Sequence, residues 1–211
     1  MYGLSITSRE EQAEPPAITA IVRGQGGLIR LLKKAGCNMD ARLDDGRTAL
    51  HVAAMLGQEA SVAELVDAGA DLTLRDKVGR TFAYWASGHG HLRVLETVES
   101  KCGEERLREI LNMTNNDGCT CAHWASNGGH LKVLTYLKEK CGVSMLKVKE
   151  KRNWTCAHEA SRNGHVEVLR YLAETCGNEL FYVKDVYGAT CQFMASYAGQ
   201  WEVVQYLQSL T

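Results

Sequence analysis

One pattern of small residues returns five times along this chain of 211 residues, and it constrains the fold more than any other feature. Each copy has a glycine or an asparagine, a threonine two residues later, and a pair of small residues that starts five positions after the threonine. A second glycine follows eleven residues after each leading position. A period of 33 to 39 residues is typical of solenoids, in which similar units stack on their neighbours. The leading positions are Gly46, Gly79, Gly118, Asn153 and Gly188.

Each part of the pattern has a local physical reason. A leading glycine predicts a tight turn with a positive φ, which glycine adopts freely and asparagine tolerates better than most residues. The threonine, for example Thr48, is expected to cap the first helix of its unit by accepting a hydrogen bond from a backbone N–H. The small pair, such as Ala53-Ala54, lets that helix approach its neighbours, and apolar residues at helical spacing, such as Val62 and Leu65, predict a second helix.

The same spacing extends towards the N-terminus. Projected back by 33 residues, the glycines of the first clear unit reach Gly24 and Gly36, which bracket the apolar segment 28–32. We therefore predict a flexible segment at 1–14, followed by a single domain over 15–211 whose first repeat is degenerate. The approximate repeats are 15–44, 45–77, 78–116, 117–151, 152–186 and 187–211.

The longest insertion in the period is the segment 103–111. It has apolar residues at Leu107, Ile110 and Leu111, a spacing that predicts one or two added helical turns. We interpret these turns as a solvated extension of the unit that carries them.

The pattern resembles the ankyrin repeat, whose signature has a glycine, then Thr-Pro-Leu-His, two small residues, Gly-His and a Gly-Ala-Asp loop. Leu50-His51, Gly90-His91 and Gly69-Ala70-Asp71 match that signature, and the resemblance covers residues 16–210. It implies an all-α ankyrin-repeat solenoid of about six helix-turn-helix repeats with hairpin-like loops. In one consistent departure, the family's proline after the threonine is replaced by Ala49, Phe82, Cys121, Cys156 and Cys191. Losing this preorganised residue costs roughly 0.4 to 1 kcal/mol per site, which does not change the predicted fold.

Composition narrows the functional classes. The chain has 24 Lys and Arg against 25 Asp and Glu, a net charge of -1, so it lacks the cationic excess that nucleic-acid binding requires. Its first residues are polar and acidic, and no stretch approaches the 18 apolar residues of a membrane span, so we expect neither export nor a membrane partner. Without a secretory signal, eight cysteines predict reduced thiols in the cytoplasm, with the nucleus as an alternative.

Cysteine and histidine lie close together at Cys119, Cys121 and His123, and again at Cys156 and His158. A tetrahedral zinc site needs four converging ligands, whereas Cys121 and Cys156 occupy one slot of successive repeats and His123 and His158 occupy another, so the repeat translation separates them. A nucleophilic cysteine beside a histidine would need further signatures, such as an oxyanion hole, that the sequence does not offer. We therefore expect no metal, no cofactor and no catalytic residue. A redox- or zinc-responsive thiol protein stays open as an alternative.

The resemblance implies a non-catalytic protein-protein interaction module, a scaffold or adaptor that binds a partner protein on its concave groove. A second alternative is the recognition domain of a larger enzyme or signalling protein. We expect a monomer that binds an acidic or extended peptide segment of its partner, because basic and aromatic residues fall at loop tips and on the exposed side of the first helices. The predicted contact residues are Arg47, Lys77, Arg80, Trp85, His89, Trp124, Lys151, Arg152, Trp154, Arg162, Tyr187 and Tyr197.

Overall fold

A computed structural model describes residues 14–210, and every regular element in that range is a helix. The predicted flexible segment at 1–14 lies outside the described residues, except for Glu14. Three short 3-10 helices span Gly26–Leu28, Val143–Lys147 and Asn178–Tyr182. The α-helices are α1 (Pro16–Val22), α2 (Ile29–Lys34), α3 (Ala49–Met55), α4 (Glu59–Asp67), α5 (Phe82–Gly88), α6 (Leu92–Cys102), α7 (Glu104–Leu111), α8 (Cys121–Asn127), α9 (Leu131–Cys141), α10 (Cys156–Arg162), α11 (Val166–Cys176), α12 (Cys191–Tyr197) and α13 (Trp201–Gln208).

The helices form two layers. The first helices of successive units, α1, α3, α5, α8, α10 and α12, pack on one another in that order. Each also packs on the second helix of its own unit, and the second helices α2, α4, α6, α9, α11 and α13 make the other layer. The first layer can be this tight because its contact positions are small: Ala53, Ala86, Ala125 and Ala160 are fully buried. The predicted all-α solenoid of about six helix pairs is confirmed.

The loops between units turn at the predicted positions. Gly46, Gly79, Gly118 and Gly188 have φ between 82° and 88°, and Asn153 also has a positive φ, 64°. Neighbouring loops are joined by backbone hydrogen bonds, for example from the N–H of Lys77 to the carbonyl of Asp45. The turn at each glycine therefore also positions its loop for hydrogen bonding to the neighbouring loop.

Two of these glycines allow a matched test. Alanine is strained at a φ near 87°, so we expect Gly118→Ala to lower the free energy of unfolding by roughly 1 kcal/mol. Gly79→Ala should lower it by about 1 kcal/mol more. At position 79 a Cβ would lie 2.8 Å from the backbone nitrogen of Asn116, whereas at position 118 its nearest neighbour, in Glu150, would be 3.6 Å away. Urea unfolding of the two variants measures the difference, and equal losses would contradict the contact argument.

A polar side chain at the start of each of four successive loops holds the turn from inside. The side chain of Asp76 accepts hydrogen bonds from the backbone N–H groups of Val78 and Arg80, at 3.0 and 2.9 Å. In each of the three later loops, the corresponding side chain also accepts hydrogen bonds from the backbone N–H groups two and four residues after it. Sequence reasoning missed this position, whose signal is an acidic or amide residue three places before four of the five leading positions. The four residues, all buried, are Asp76, Asn115, Glu150 and Asp185.

The predicted solvated extension at 103–111 is wrong. Helix α7 is the added helix, but its apolar residues Leu107, Ile110 and Leu111 are buried, and α7 packs against α6, α9 and α5. In the next two units the 3-10 helices after α9 and α11 similarly bury an apolar pair, Met145 with Leu146 and Leu180 with Phe181. The extra residues of the long repeats therefore extend the hydrophobic core.

Candidate partner-binding surface

Arginine and tryptophan side chains from three consecutive units lie against one another. The guanidinium carbon of Arg80 is 4.2 Å from the ring centre of Trp85 and 5.4 Å from that of Trp124. Arg47 approaches the same Trp85 ring at 5.4 Å, and the two indole rings are 6.4 Å apart. Guanidinium groups therefore alternate with indole rings, and each cation–π contact of this kind stabilises the arrangement by roughly 0.5 to 2 kcal/mol. We call Arg47, Arg80, Trp85 and Trp124 the arginine-tryptophan row.

Both arginines of the row are held by a carboxylate of their own loop. Arg80 Nε lies 2.7 Å from Asp76 Oδ2, and the Asp76 side chain is buried. Arg47 Nε lies 2.6 Å from Asp45 Oδ2. Because a planar guanidinium carries five N–H donors, each arginine keeps further donors for another acceptor. These side chains are therefore oriented before any partner arrives, which lowers the entropy lost on binding.

His89 extends the row along α5. Its ring stacks on Trp85 with a centroid separation of 5.9 Å, and Nδ1 lies 3.0 Å from the Trp85 carbonyl oxygen. His89 is exposed, so this edge of the row is accessible to solvent.

Trp154 does not lie where the sequence predicted. Its side chain is buried, with 6% of its surface exposed, and its indole Nε1 donates a 3.0 Å hydrogen bond to Asp185 Oδ2 of the following loop. The bulky ring fills the space between two loops, so it is not an exposed loop-tip contact. Two exposed cations lie over it, Arg152 at 4.9 Å and Arg162 at 5.7 Å. Trp154 thus supports a second arginine pair.

The remaining predicted residues lie outside these two clusters. Lys77 and Lys151 are exposed at loop tips. Tyr187 and Tyr197, each 86% exposed, belong to the last unit, where the ring of Tyr197 stacks on Phe193 at 6.3 Å. The structure thus brings together the predicted arginines, tryptophans and His89 in two clusters, and it leaves the predicted lysines and tyrosines apart. A role in binding a partner stays a prediction for all of them.

Glu159 occupies in α10 the slot that Trp85 and Trp124 fill in α5 and α8. It accepts a 3.0 Å hydrogen bond from the Asn127 amide, and burial raises the pKa of its carboxyl above the ordinary value. The nearby Cys119 thiol also has a raised pKa, about 12, through burial and the Glu150 and Glu159 carboxylates. Sequence reasoning missed Glu159, although its slot in the repeat could have revealed it.

Histidines at the third position of α3, α8 and α10 tie each helix to the loop before it. Each Nδ1 accepts a hydrogen bond from the backbone N–H of the capping threonine, at 3.1 to 3.2 Å, and each pair forms a capping box. In two cases Nε2 reaches the next unit, from His51 to the Arg80 carbonyl and from His123 to the Trp154 carbonyl. The predicted cap is absent at Thr81, whose hydroxyl has no partner and whose helix has Tyr84 at the third position.

The cysteines beside these histidines are not activated. Burial raises the pKa of Cys121 and of Cys156 to about 12, while burial lowers the pKa of His123 and His158 below 6.5. Both shifts favour the neutral forms, the opposite of a thiolate-imidazolium pair. Within residues 14–210, no group of three or more histidine, cysteine, aspartate or glutamate side chains is arranged to hold a metal ion. In the same range, no helix is long and apolar enough to cross a bilayer.

Comparison with known protein families identifies the family of this chain. The model of the family described as ankyrin repeats (3 copies) matches residues 17–105, 96–182 and 141–210. The chain belongs to the ankyrin-repeat family. Its arginine-tryptophan row is thus carried by the first helices and loops of consecutive ankyrin repeats, and ankyrin repeats generally mediate protein-protein interactions. The fold is typically non-enzymatic.

The ankyrin-repeat relatives are longer proteins. The chain is 31% identical over 97 residues to the inactive serine/threonine-protein kinase TEX14 of Mus musculus, covering 46% of this chain and 7% of that protein. It is 30% identical over 86 residues to neurogenic locus notch homolog protein 2 of Homo sapiens, covering 40% and 4%. It is 33% identical over 117 residues to human ankyrin repeat domain-containing protein 63, covering 54% and 30%. The chain therefore matches less than a third of the length of each of these relatives.

Proposed function

We propose that this chain is a non-catalytic interaction module that binds an acidic, extended segment of a partner protein along the arginine-tryptophan row. The observation that carries the proposal is the position of Arg80, which is stacked on Trp85 and tied to buried Asp76. An oriented guanidinium beside an aromatic face suits a carboxylate of a partner, because it offers paired N–H donors in a partly desolvated site. Tryptophan and arginine also dominate the binding energy of protein interfaces.

The second cluster continues the same chemistry two units further on. Arg152 and Arg162 are both exposed and both lie over Trp154, and Arg152 Nε is 3.7 Å from Glu150 Oε2. An extended segment with carboxylates near each of its ends could contact both clusters. The proposal includes action as a scaffold or adaptor in the cytoplasm, where all eight cysteines would persist as free thiols.

A recognition domain within a larger signalling protein is a second candidate. It is favoured by the lengths of the relatives, since the region similar to this chain makes up only 4% of notch homolog protein 2. In that case the arginine-tryptophan row would still bind the partner, and any catalytic or signalling activity would belong to another part of the larger protein.

Affinity capture from cell extract with mass spectrometry tests the first proposal. We compare the native chain with the double variant Arg80→Gln, Arg162→Gln, which removes one cation from each cluster. The control is Arg93→Gln, an exposed arginine on α6 that pairs with Glu96 outside both clusters. A protein captured by the native chain and the control, and then shown by titration to bind the double variant about tenfold or more weakly, would support the row as its site.

Circular dichroism and urea unfolding of each variant confirm that it is folded. Equal affinity for the native chain, the double variant and the control would contradict the proposal. Trp154→Ala is unsuitable as a variant here, because removing a buried indole would disturb the loops directly.

A further inference from the structure

One carboxylate interrupts the aromatic series of the arginine-tryptophan row. The fourth residue of the first helix is Trp85 in α5 and Trp124 in α8, and it is Glu159 in α10, the next helix of the stack. Glu159 is partly exposed, and its carboxylate accepts a 3.0 Å hydrogen bond from the side-chain amide of Asn127 on α8. The surface that begins as cations on indole rings therefore continues as an anion.

The loop residue placed to pair with Glu159 is a neutral thiol. Arg80 directly follows the leading glycine of its loop, and its guanidinium lies against Trp85 of its own unit and Trp124 of the next one. Cys119 directly follows the leading glycine one unit later. An arginine in that slot would lie against Trp124 and Glu159, but the cysteine offers no cation. Within residues 14–210, Glu159 therefore forms no ion pair.

The environment of Glu159 disfavours its charge. Burial raises the pKa of the Glu159 carboxyl, although the Asn127 hydrogen bond and the charges of Arg162 and Arg152 act in the opposite direction. A carboxylate can accept about four hydrogen bonds, and Asn127 supplies one of them. A cationic side chain from a partner would add donors and would offset the cost of partial burial.

Glu159 lies between the row and the second cluster along the stack. Its bond to Asn127 faces back towards α8, whereas Trp154 of the second cluster bonds forward to Asp185 of the next loop. Packed helices lie about 8 to 10 Å apart, so the two steps from α5 to α10 cover about 16 to 20 Å. An extended chain covers that distance in about five or six residues. A segment that spans both clusters therefore passes Glu159 before it reaches the second one.

We propose that Glu159 selects a bound segment that carries a lysine or an arginine between its acidic residues. This inference rests on the proposed function, in which carboxylates of the segment contact Arg80 at one end and the second cluster at the other. The cationic side chain contacts Glu159. A third carboxylate in its place would be repelled, so Glu159 excludes uniformly acidic segments and fixes the register of the segment along the groove.

Fluorescence polarisation with labelled synthetic peptides tests this selection on the chain of 211 residues. The parent peptide has two glutamates about five positions apart and threonine elsewhere. In one series lysine replaces each intervening threonine in turn, and in a matched series glutamate replaces it. We expect the tightest lysine peptide to bind the native chain about tenfold more tightly than the glutamate peptide substituted at the same position.

Two variants should remove this preference by different routes. Glu159→Gln removes the charge but can still accept the hydrogen bond from Asn127, so the preference should fall to about twofold or less. Cys119→Arg supplies an internal cation from the slot that Arg80 occupies in its own loop, and it should lower the preference in the same way. The matched control is Glu167→Gln, which removes an exposed charge on α11 outside both clusters and should keep the native preference.

The outcomes separate this inference from the proposed function. Arg80→Gln should weaken the binding of every peptide by about tenfold while the preference for lysine persists. Equal affinity of the native chain for the lysine and glutamate series would overturn selection by Glu159 and leave the row as the binding site. A lysine preference that survives in Glu159→Gln or in Cys119→Arg, each shown by circular dichroism to be folded, would also overturn it. Failure of every peptide to bind the native chain would contradict both proposals.

Discussion

Replacing Leu111 by alanine is expected to lower the free energy of unfolding by roughly 2 to 5 kcal/mol, which makes it one of the most damaging single substitutions in the chain. Leu111 is completely buried on the inner face of α7, which packs against α6 and α9. Truncation removes apolar contacts and leaves a cavity that the tightly packed second layer cannot easily close. Urea unfolding followed by circular dichroism measures the loss directly.

The control for this substitution lies on the other side of the same helix. Arg106 is exposed and forms an ion pair with Glu109, so Arg106→Ala should change the free energy of unfolding by no more than about 0.5 kcal/mol. If Leu111→Ala were as mild as Arg106→Ala, α7 would be the solvated extension that its sequence suggested, and the burial described here would be wrong.

Acidification from pH 7.5 to pH 5.5 is expected to destabilise the fold well before the carboxylates titrate. His51, His123 and His158 are buried, and burial is the main reason that the pKa of each is below 6.5 in the folded chain. Each Nδ1 also accepts a hydrogen bond from a threonine N–H, and a proton on that nitrogen would break the bond. Nearby carboxylates, such as Asp76 beside His51, favour the proton but do not outweigh burial.

The sign of the effect follows from where the protons bind. In the unfolded chain these histidines titrate near 6.5, so below that pH the unfolded state binds more protons than the folded state. Stability is therefore complete above about pH 7 and is lost as the pH falls from 6.5 towards the lower pKa values of the folded chain. The slope can reach about 1.4 kcal/mol per pH unit for each histidine, or about 4 kcal/mol for the three together.

Urea midpoints at pH 7.5, 6.5 and 5.5 test this dependence. The matched variant is His51→Gln, because glutamine at the third helical position can complete a capping box without titrating. It should reduce the pH slope while keeping the helix start. An unchanged midpoint across this range, or the same slope in the native chain and the variant, would show that these histidines do not control stability.

The helix starts illustrate how much of the fold could be predicted locally. Asn153 was predicted to replace glycine in a turn with a positive φ, and it has one. The threonine caps form at Thr48, Thr120, Thr155 and Thr190, because a cap involves residues only three positions apart. The cap does not form at Thr81, whose hydroxyl has no partner.

The candidate site was less predictable. The residue types and slots of Arg80, Trp85 and Trp124 could be read from the repeat, but their stacking joins loops and helices of different units. Trp154 looked like an exposed loop residue, yet its indole is buried through a bond to Asp185, which lies 31 positions away. No local pattern near Trp154 indicates which loop will cover it.

The sequence by itself determined the repeat period, the helix pairs, the turn positions and the ankyrin-repeat family, since each depends on backbone conformation or hydrogen bonds within a few residues. The tertiary structure decided that α7 belongs to the core and that Trp154 supports two arginines. These features depend on which surfaces meet when units stack. Whether an apolar residue is buried depends on the unit that packs against it. The same apolar spacing in the sequence therefore fits a core helix or a surface helix, and only the position of the neighbouring unit distinguishes the two.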